Sequence, residues 1–510
     1  MNVPERSPVN SGPSKGSLSG TALHGGKWLG IAALLQALLK IVVVAVLARL
    51  LTPTEFGLVA IAGIFVDVAA GIAAMGVSQA LVQRPDLTRD HMRAAFWITL
   101  VVSLAMTALL YFSSGWLAAL LHGPEAAPLI AVLSVVFVIQ ALGVVPEGLA
   151  TRDKNFRLLA VRQLIAYVVG YGAVGVGSAL LGAGAWALVY AQIAQALLAT
   201  VLLIAAIGFD WRPTLVWSAY REIAGYGAGV SASRIATAFA NQMDRVIVSM
   251  NTNPASIGLY TKAIQVTRYP NMLVGKVIED VLFPSFAGVQ ADRERLKRAY
   301  CRSVGSICAV MTPISVFFCL SARPIADLLL GPQWHGVVPL MMVLSVSLTF
   351  RLVQRISNAI MFAIGRSWLI ASWQVILFVT TTLGALIGIR FGLLGAVIGV
   401  TTAYILCYVS GTIACSVLLS INLGQLMVRY FAGVPLAVLG GLSAGVGLAL
   451  AEAGFVSSVI GLAISALAFI VLGVAAALIG PRFFLGSDGQ WLASLLLSKL
   501  PGRWQFRLSS

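Results

Sequence analysis

Charge is the first thing this sequence is short of. Only 10% of its 510 residues are Asp, Glu, Lys or Arg, while 59% are hydrophobic. A soluble chain carries about 25% charge, so a single water-soluble core is excluded. Acid is scarcer than base, 18 Asp+Glu against 34 Lys+Arg, for a formal net charge of +16. Cysteine and histidine are sparse too. Cys301, Cys308, Cys319, Cys407 and Cys415 form no C-x-x-C, and the four histidines form no H-E-x-x-H. Neither a disulfide framework nor a metal site is expected. No G-x-x-x-x-G-K-[ST] is present and no Gly-rich loop opens a helix, so no nucleotide and no other cofactor is expected. The first apolar run is preceded by no h-region and followed by no A-x-A site, so it reads as a retained helix rather than a signal peptide.

What remains is apolar sequence in long runs. Fourteen stretches are long enough, at about 20 residues, to span a bilayer. The fold class expected is all-α, a polytopic membrane protein. Residues 1–27 read as a disordered cytoplasmic tail and 28–207 as a first lobe of six helices. A linker covers 208–222, and a second lobe of six helices 223–418. Two more helices fill 419–480 and a second tail 481–510. With both termini in the cytoplasm, 23 basic residues fall in loops on that side, and only Arg49, Arg323 and Arg390 on the other. That bias obeys the positive-inside rule. It accounts for most of the excess base, so no nucleic-acid partner is needed.

One short pattern occurs twice. "LLTPTEFGLVAIA" begins at Leu50 and "MNTNPASIGLYTKA" at Met250, with Pro53 and Gly57 matched by Pro254 and Gly258. "ALVQRPDLTRDHMRAAF" (from Ala80) has a counterpart in "AGVQADRERLKRAYCRS" (from Ala287), and "LLGAGAWALV" (from Leu180) in "FGLLGAVIGV" (from Phe391). The offsets are 201, 207 and 211. Spans 1–6 and 7–12 thus read as two copies of one unit. Six is even, so the copies are parallel, a transporter architecture with its site between the repeats. The two Pro–Gly turns are expected at one depth, on opposite sides of a central cavity.

Ionisable groups inside spans cost about 2.5–3.5 kcal/mol each at mid-helix on insertion scales. Eight bases lie there: Lys40, Arg234, Arg245, Lys262, Arg268, Lys276, Arg351 and Arg355. The acids are Asp67, Glu147, Asp244, Glu279 and Asp280. Spacing gathers them into stripes. Span 7 aligns Arg234, Asn241 and Arg245. Span 10 aligns Arg351, Arg355 and Asn358. Span 8 groups Lys262 with Lys276 and Asp280, Arg268 at the border. Lys40 is the only base in the first lobe, which makes the cavity lopsided. Such stripes face a polar interior rather than lipid. A bland alternative is a set of buried salt bridges, with Lys262, Arg245 and Lys276 snorkelling to the surface. Arg351 and Arg355, one turn apart, repel unless an anion lies between them, and guanidinium forks suit phosphate oxygens.

"ARLLTPTEFGLVAIAGIF", "MGVSQALVQRPDLT", "NQMDRVIVSMNTNPASIGLYTKAIQV" and "PSFAGVQADRERLKRAY" resemble Wzx-type polysaccharide flippases, over roughly residues 20–420. Those proteins belong to the superfamily that also holds the lipid II flippase and the multidrug MATE exporters. The resemblance implies a two-lobed alternating-access carrier for undecaprenyl-diphosphate-linked oligosaccharide, not an enzyme, in the bacterial inner membrane. The pathway's polymerase and its chain-length or export proteins are the implied partners, besides membrane lipid. Substrate would meet the eight bases with Asn241 and Asn358. Asp67, Asp244, Glu279 and Asp280 are the candidates for ion coupling. A MATE-like exporter would favour an acidic cavity. A polysaccharide polymerase or ligase would carry a large outer loop with clustered catalytic groups.

Overall fold

A computed structural model describes residues 35–73, 77–84, 86–208, 210–287 and 292–480, with Phe484 and Asp488. Among these residues every regular element is helical. In the first repeat, α1 (35–50) is followed by α2 (Pro53–Ala73), α3 (Val77–Gln83), α4 (Arg89–Leu120), α5 (Ala127–Leu133) and α6 (Val135–Arg152). Then come α7 (Phe156–Tyr167), a π-helical stretch (Val168–Gly175), α8 (Val176–Leu180) and α9 (Trp186–Ile207). The second repeat holds α10 (Trp217–Asn251), α11 (Pro254–Ala287), α12 (Arg293–Leu320), α13 (Ala322–Leu329), α14 (Val338–Ser345), α15 (Leu348–Ala363), α16 (Ser367–Gly388) and α17 (Gly392–Leu418). A short α18 (Leu423–Tyr430) leads to α19 (Val434–Glu452) and α20 (Ser458–Ile479).

Polar starts carry several helices beyond their apolar runs. Thr88 caps α4 by accepting from the His91 N–H, and Asp292 caps α12 by accepting from Glu294 and Arg295. Such caps satisfy amides that a helix leaves unpaired at its N-terminus. Nine helices among the described residues are long and apolar enough to cross a membrane, or ten if the bent pair Pro332–Ser345 and Leu348–Met361 is one span. One of the nine stretches, Trp368–Leu418, holds two helices, α16 and α17. α10 and α11, which carry the polar stripes, are not among the nine. The start of α1 lies outside the described residues. The stretch around 321–336, which lies between two apolar runs, folds into α13 and a 3-10 turn, and a short α18 precedes α19.

The duplicated Pro–Gly pattern is a pair of helix starts. Thr52 precedes Pro53 at the head of α2. Its N–H donates to Glu55 at 2.7 Å while its hydroxyl accepts from the Glu55 N–H at 3.3 Å, a capping box. Asn253 does the same work for α11, accepting from the Ser256 N–H at 2.9 Å. Proline suits the first helical position, where no N–H is needed. The repeat predicts the two starts on opposite sides of a cavity; instead they touch. A Cβ on Gly57 would lie 1.6 Å from the Pro254 carbonyl oxygen, and one on Gly258 2.0 Å from that of Pro53. Glycine at both positions lets the backbones meet. Phe56, Leu58, Ile61, Ile257, Tyr260 and Trp334 bury around this seam. Gln333 and Trp334 lock it, each donating to the Ala48 carbonyl, at 2.6 and 2.7 Å.

At the opposite end the start of α10 and the stretch before it are tied to the first repeat. Arg84 pairs with Glu222, Arg93 with Asp210, and the Thr214 hydroxyl donates to Asp90 at 2.8 Å.

Candidate functional site

Between α11, α15, α16 and α17 lies a cavity of about 420 Å³. Arg268, Arg351 and Arg355 line it with Asn271, Asn358 and Tyr408. Arg351 and Arg355 come from successive turns of α15, after the 46° bend that separates it from α14. Gly275 on α11 leaves room for them: a Cβ there would approach Leu352 to 3.1 Å and the Arg355 Nη1 to 3.5 Å. The Arg351 guanidinium lies 4.5 Å from the centre of the Tyr404 ring, a cation–π contact. Its Nε is buried with no hydrogen-bond partner among the described residues, and so are the Asn271 Oδ1 and the Gln354 Oε1. Gln354 donates to Asn358 at 3.0 Å.

Among the described residues, charge around this cavity is one-sided. Arg268 lies within electrostatic range of Arg351 and Arg245, with Asp244 as the opposing carboxylate. Asp244 is buried and already accepts a hydrogen bond from the Tyr260 hydroxyl at 2.7 Å. Arg245 turns towards the first repeat. It donates to Gln242 at 2.9 Å, and Gln242 donates to Asp67 at 2.6 Å. Three guanidinium groups around one cavity, with the Arg351 Nε buried and unpaired, are suited to an anion with several oxygens.

Of the residues singled out from the sequence, Arg268, Arg351, Arg355 and Asn358 share this cavity. Arg245, Asp244 and Asp67 stand beside it. Lys262 is elsewhere and does not snorkel. It is buried in the seam, its ammonium 3.8 Å from the centre of the Phe56 ring and 3.0 Å from the Gln265 Oε1. Lys40 sits over the Tyr167 ring at 5.8 Å. The side chains of Arg234, Asn241, Lys276, Glu279 and Asp280 fall outside the described residues. Asn271, Tyr404 and Tyr408 were missed, although the tyrosines are four residues apart and Asn271 is three from Arg268, spacings that place each on one helix face.

Arg162 corrects the reading of the first repeat. Counted among the loop bases, it stands on α7 with its side chain only 10% exposed, and pairs with Glu147 at 2.7 Å. Lys40 is therefore not the only base there.

Residues 46–339 match a family described as "Polysaccharide biosynthesis protein". The succinoglycan biosynthesis transport protein ExoT of Rhizobium meliloti (strain 1021) is 32% identical over 311 residues, 61% of this chain. The match spans 62% of the length of that relative. The lipopolysaccharide biosynthesis protein WzxC of Escherichia coli (strain K12) is 23% identical, over 78% of this chain and 80% of its own. Among solved structures, the lipid II flippase MurJ in an inward closed conformation superposes with a TM-score of 0.67 at 11% identity. It covers 88% of this chain and 98% of its own. That likeness is one of fold.

Proposed function

Because the chain belongs to the polysaccharide biosynthesis protein family, we propose that it flips undecaprenyl-diphosphate-linked oligosaccharide across the bacterial inner membrane by alternating access. The observation that carries this reading is the cavity of Arg268, Arg351 and Arg355, which suits a diphosphate. In this reading the termini are cytoplasmic, the two six-helix lobes rock about the seam, and the seam closes the outer side. The glycan and diphosphate cross through the polar interior while the polyprenyl tail stays in lipid. No nucleotide is required. Two negative charges moving out of a cell that is negative inside gain roughly 2.3 kcal/mol per charge per 100 mV. Asp67, linked through Gln242 to Arg245, is the candidate for proton coupling. The names of the two relatives, both of polysaccharide pathways, support the substrate class. A MATE-like exporter of cationic drugs is disfavoured by the excess of arginine.

The test is to deplete the protein in its host and measure lipid-linked glycan on each leaflet. Accumulation on the cytoplasmic leaflet is expected. An unchanged distribution, with surface polysaccharide still made, would remove the proposal.

A further inference from the structure

A second cavity, of about 610 Å³, lies wholly within the first repeat, between α6, α7, the π-helical stretch and α9. That volume is in the range of small-ligand sites, about 300–1,000 Å³. Its walls carry Gln140, Gln163, Gln192 and Gln195, with the Glu147–Arg162 pair at one end. None of the four amides hydrogen-bonds to another described residue. The Arg162 Nε is buried and unpaired as well. Gln140 is exposed and the other three are half-buried, so the amides open onto the cavity rather than into the core. Polar groups at membrane depth are expensive, and packing alone offers no reason to gather four of them. The backbone is shaped around the cavity. A Cβ at Gly170, inside the π-helical stretch, would lie 2.7 Å from the Gln195 Cβ and 2.8 Å from the Ala191 carbonyl oxygen. Glycine there lets α9 approach closely.

The chemistry differs from that of the arginine cavity. A primary amide offers two donors and an acceptor, and a hydroxyl both donates and accepts. Four neutral amides beside one balanced ion pair match a ligand dense in hydroxyls and give no special attraction to a diphosphate. The two cavities are joined by polar groups. Tyr171, on the wall of this one, is in electrostatic range of Asp67. Asp67 connects through Gln242 and Arg245 to the neighbourhood of Arg268. We infer that the first repeat holds a glycan subsite, in which these glutamines and Glu147 bind sugar hydroxyls while the arginine cavity holds the diphosphate. This rests on the transporter reading above.

The experiment uses the full-length protein in nanodiscs and two probes. One is undecaprenyl diphosphate; the other is the oligosaccharide released by mild acid from the host's lipid-linked pool. In the Gln192→Met, Gln195→Met double variant, similar in side-chain volume, oligosaccharide affinity should fall about tenfold or more, the loss of one or two hydrogen bonds. Undecaprenyl diphosphate affinity should stay as in the wild type. Arg351→Ala should do the reverse. Unchanged oligosaccharide affinity in the double variant, or no oligosaccharide binding by the wild type, overturns the subsite. If the double variant does not fold, Glu147→Gln decides in the same way, with the same expected loss. Failure of Arg351→Ala to weaken undecaprenyl diphosphate counts against the diphosphate site alone.

Discussion

The indole N–H of Trp334 donates to the Ala48 carbonyl at 2.7 Å, and its ring meets Phe56 edge to face at 5.4 Å between centroids. One side chain of the second repeat thus plugs the junction of α1 and α2. Trp334 is fully buried, so Trp334→Ala should cost on the order of 3–5 kcal/mol. The loss falls on the state in which the seam is closed. In a cysteine-free background, Ala48→Cys should resist thiol reagents and become reactive once Trp334 is Ala. Equal labelling with and without the tryptophan would mean that it does not hold the seam.

Gly57→Ala and Gly258→Ala should each prevent closure, since the added Cβ would overlap a carbonyl oxygen of the facing helix. Loss of export with normal membrane abundance is expected. Gly63→Ala and Gly115→Ala are the controls. A Cβ at either meets nothing within 4 Å, so both should be neutral or stabilise by about 0.5–1 kcal/mol. Export retained in Gly57→Ala would show that the crossing opens without cost.

Arg351→Ala and Arg355→Ala should leave a folded protein that no longer exports polymer. Lysine at either position should rescue only in part, because an ammonium keeps the charge and loses the bidentate fork. Abundance and melting temperature are measured beside export. A stable double alanine variant with normal export would remove the pair from the site.

The start of α10 and the segment before it should loosen in acid. Hydrogen bonds from Arg93 to Asp210, and from Arg84 and His91 to Glu222, hold both carboxyls below their usual range. A lowered carboxylate stabilises the fold above its unfolded value, about 3.9 for Asp and 4.3 for Glu, and that support is lost as pH falls through the folded value. Limited proteolysis between Asp210 and Val216 should therefore speed up below about pH 4, more in the wild type than in Arg93→Ala. Cleavage that is equal in both at every pH would argue against the clamp.

Orientation can be read with membrane-impermeant reagents. With the loop bases on the cytoplasmic side, Thr54→Cys should label in intact cells and Arg295→Cys only after lysis. Labelling of Arg295→Cys in intact cells would invert the assignment.

Class and repeat were legible in the sequence because both are written in one dimension, the first as hydropathy and the second as spacing. Arg351, Arg355 and Asn358 recur at helical intervals, so one face was apparent. Their meeting with Arg268 was not, since α11 and α15 are brought together by packing that spacing does not encode. Arg162 shows the limit from the other side. Its place near a helix start suggested a loop, and only the fold turns it inward onto Glu147. Trp334 gave no signal at all, because nothing local says that an aromatic residue after Gly331 and Pro332 will reach Ala48 in the other repeat.

The seam has a consequence for descent. Pro53 with Gly57 and Pro254 with Gly258 are copies of one motif, and each is the other's contact surface. An interface in which a patch binds its own duplicate is isologous, the kind that two-fold homodimers use. A six-helix ancestor inserts with both ends on the same side, so two separate copies would already share an axis along the membrane normal. Joining them in one chain preserves the interface and then lets the halves diverge, which is how one can gather arginine and the other glutamine.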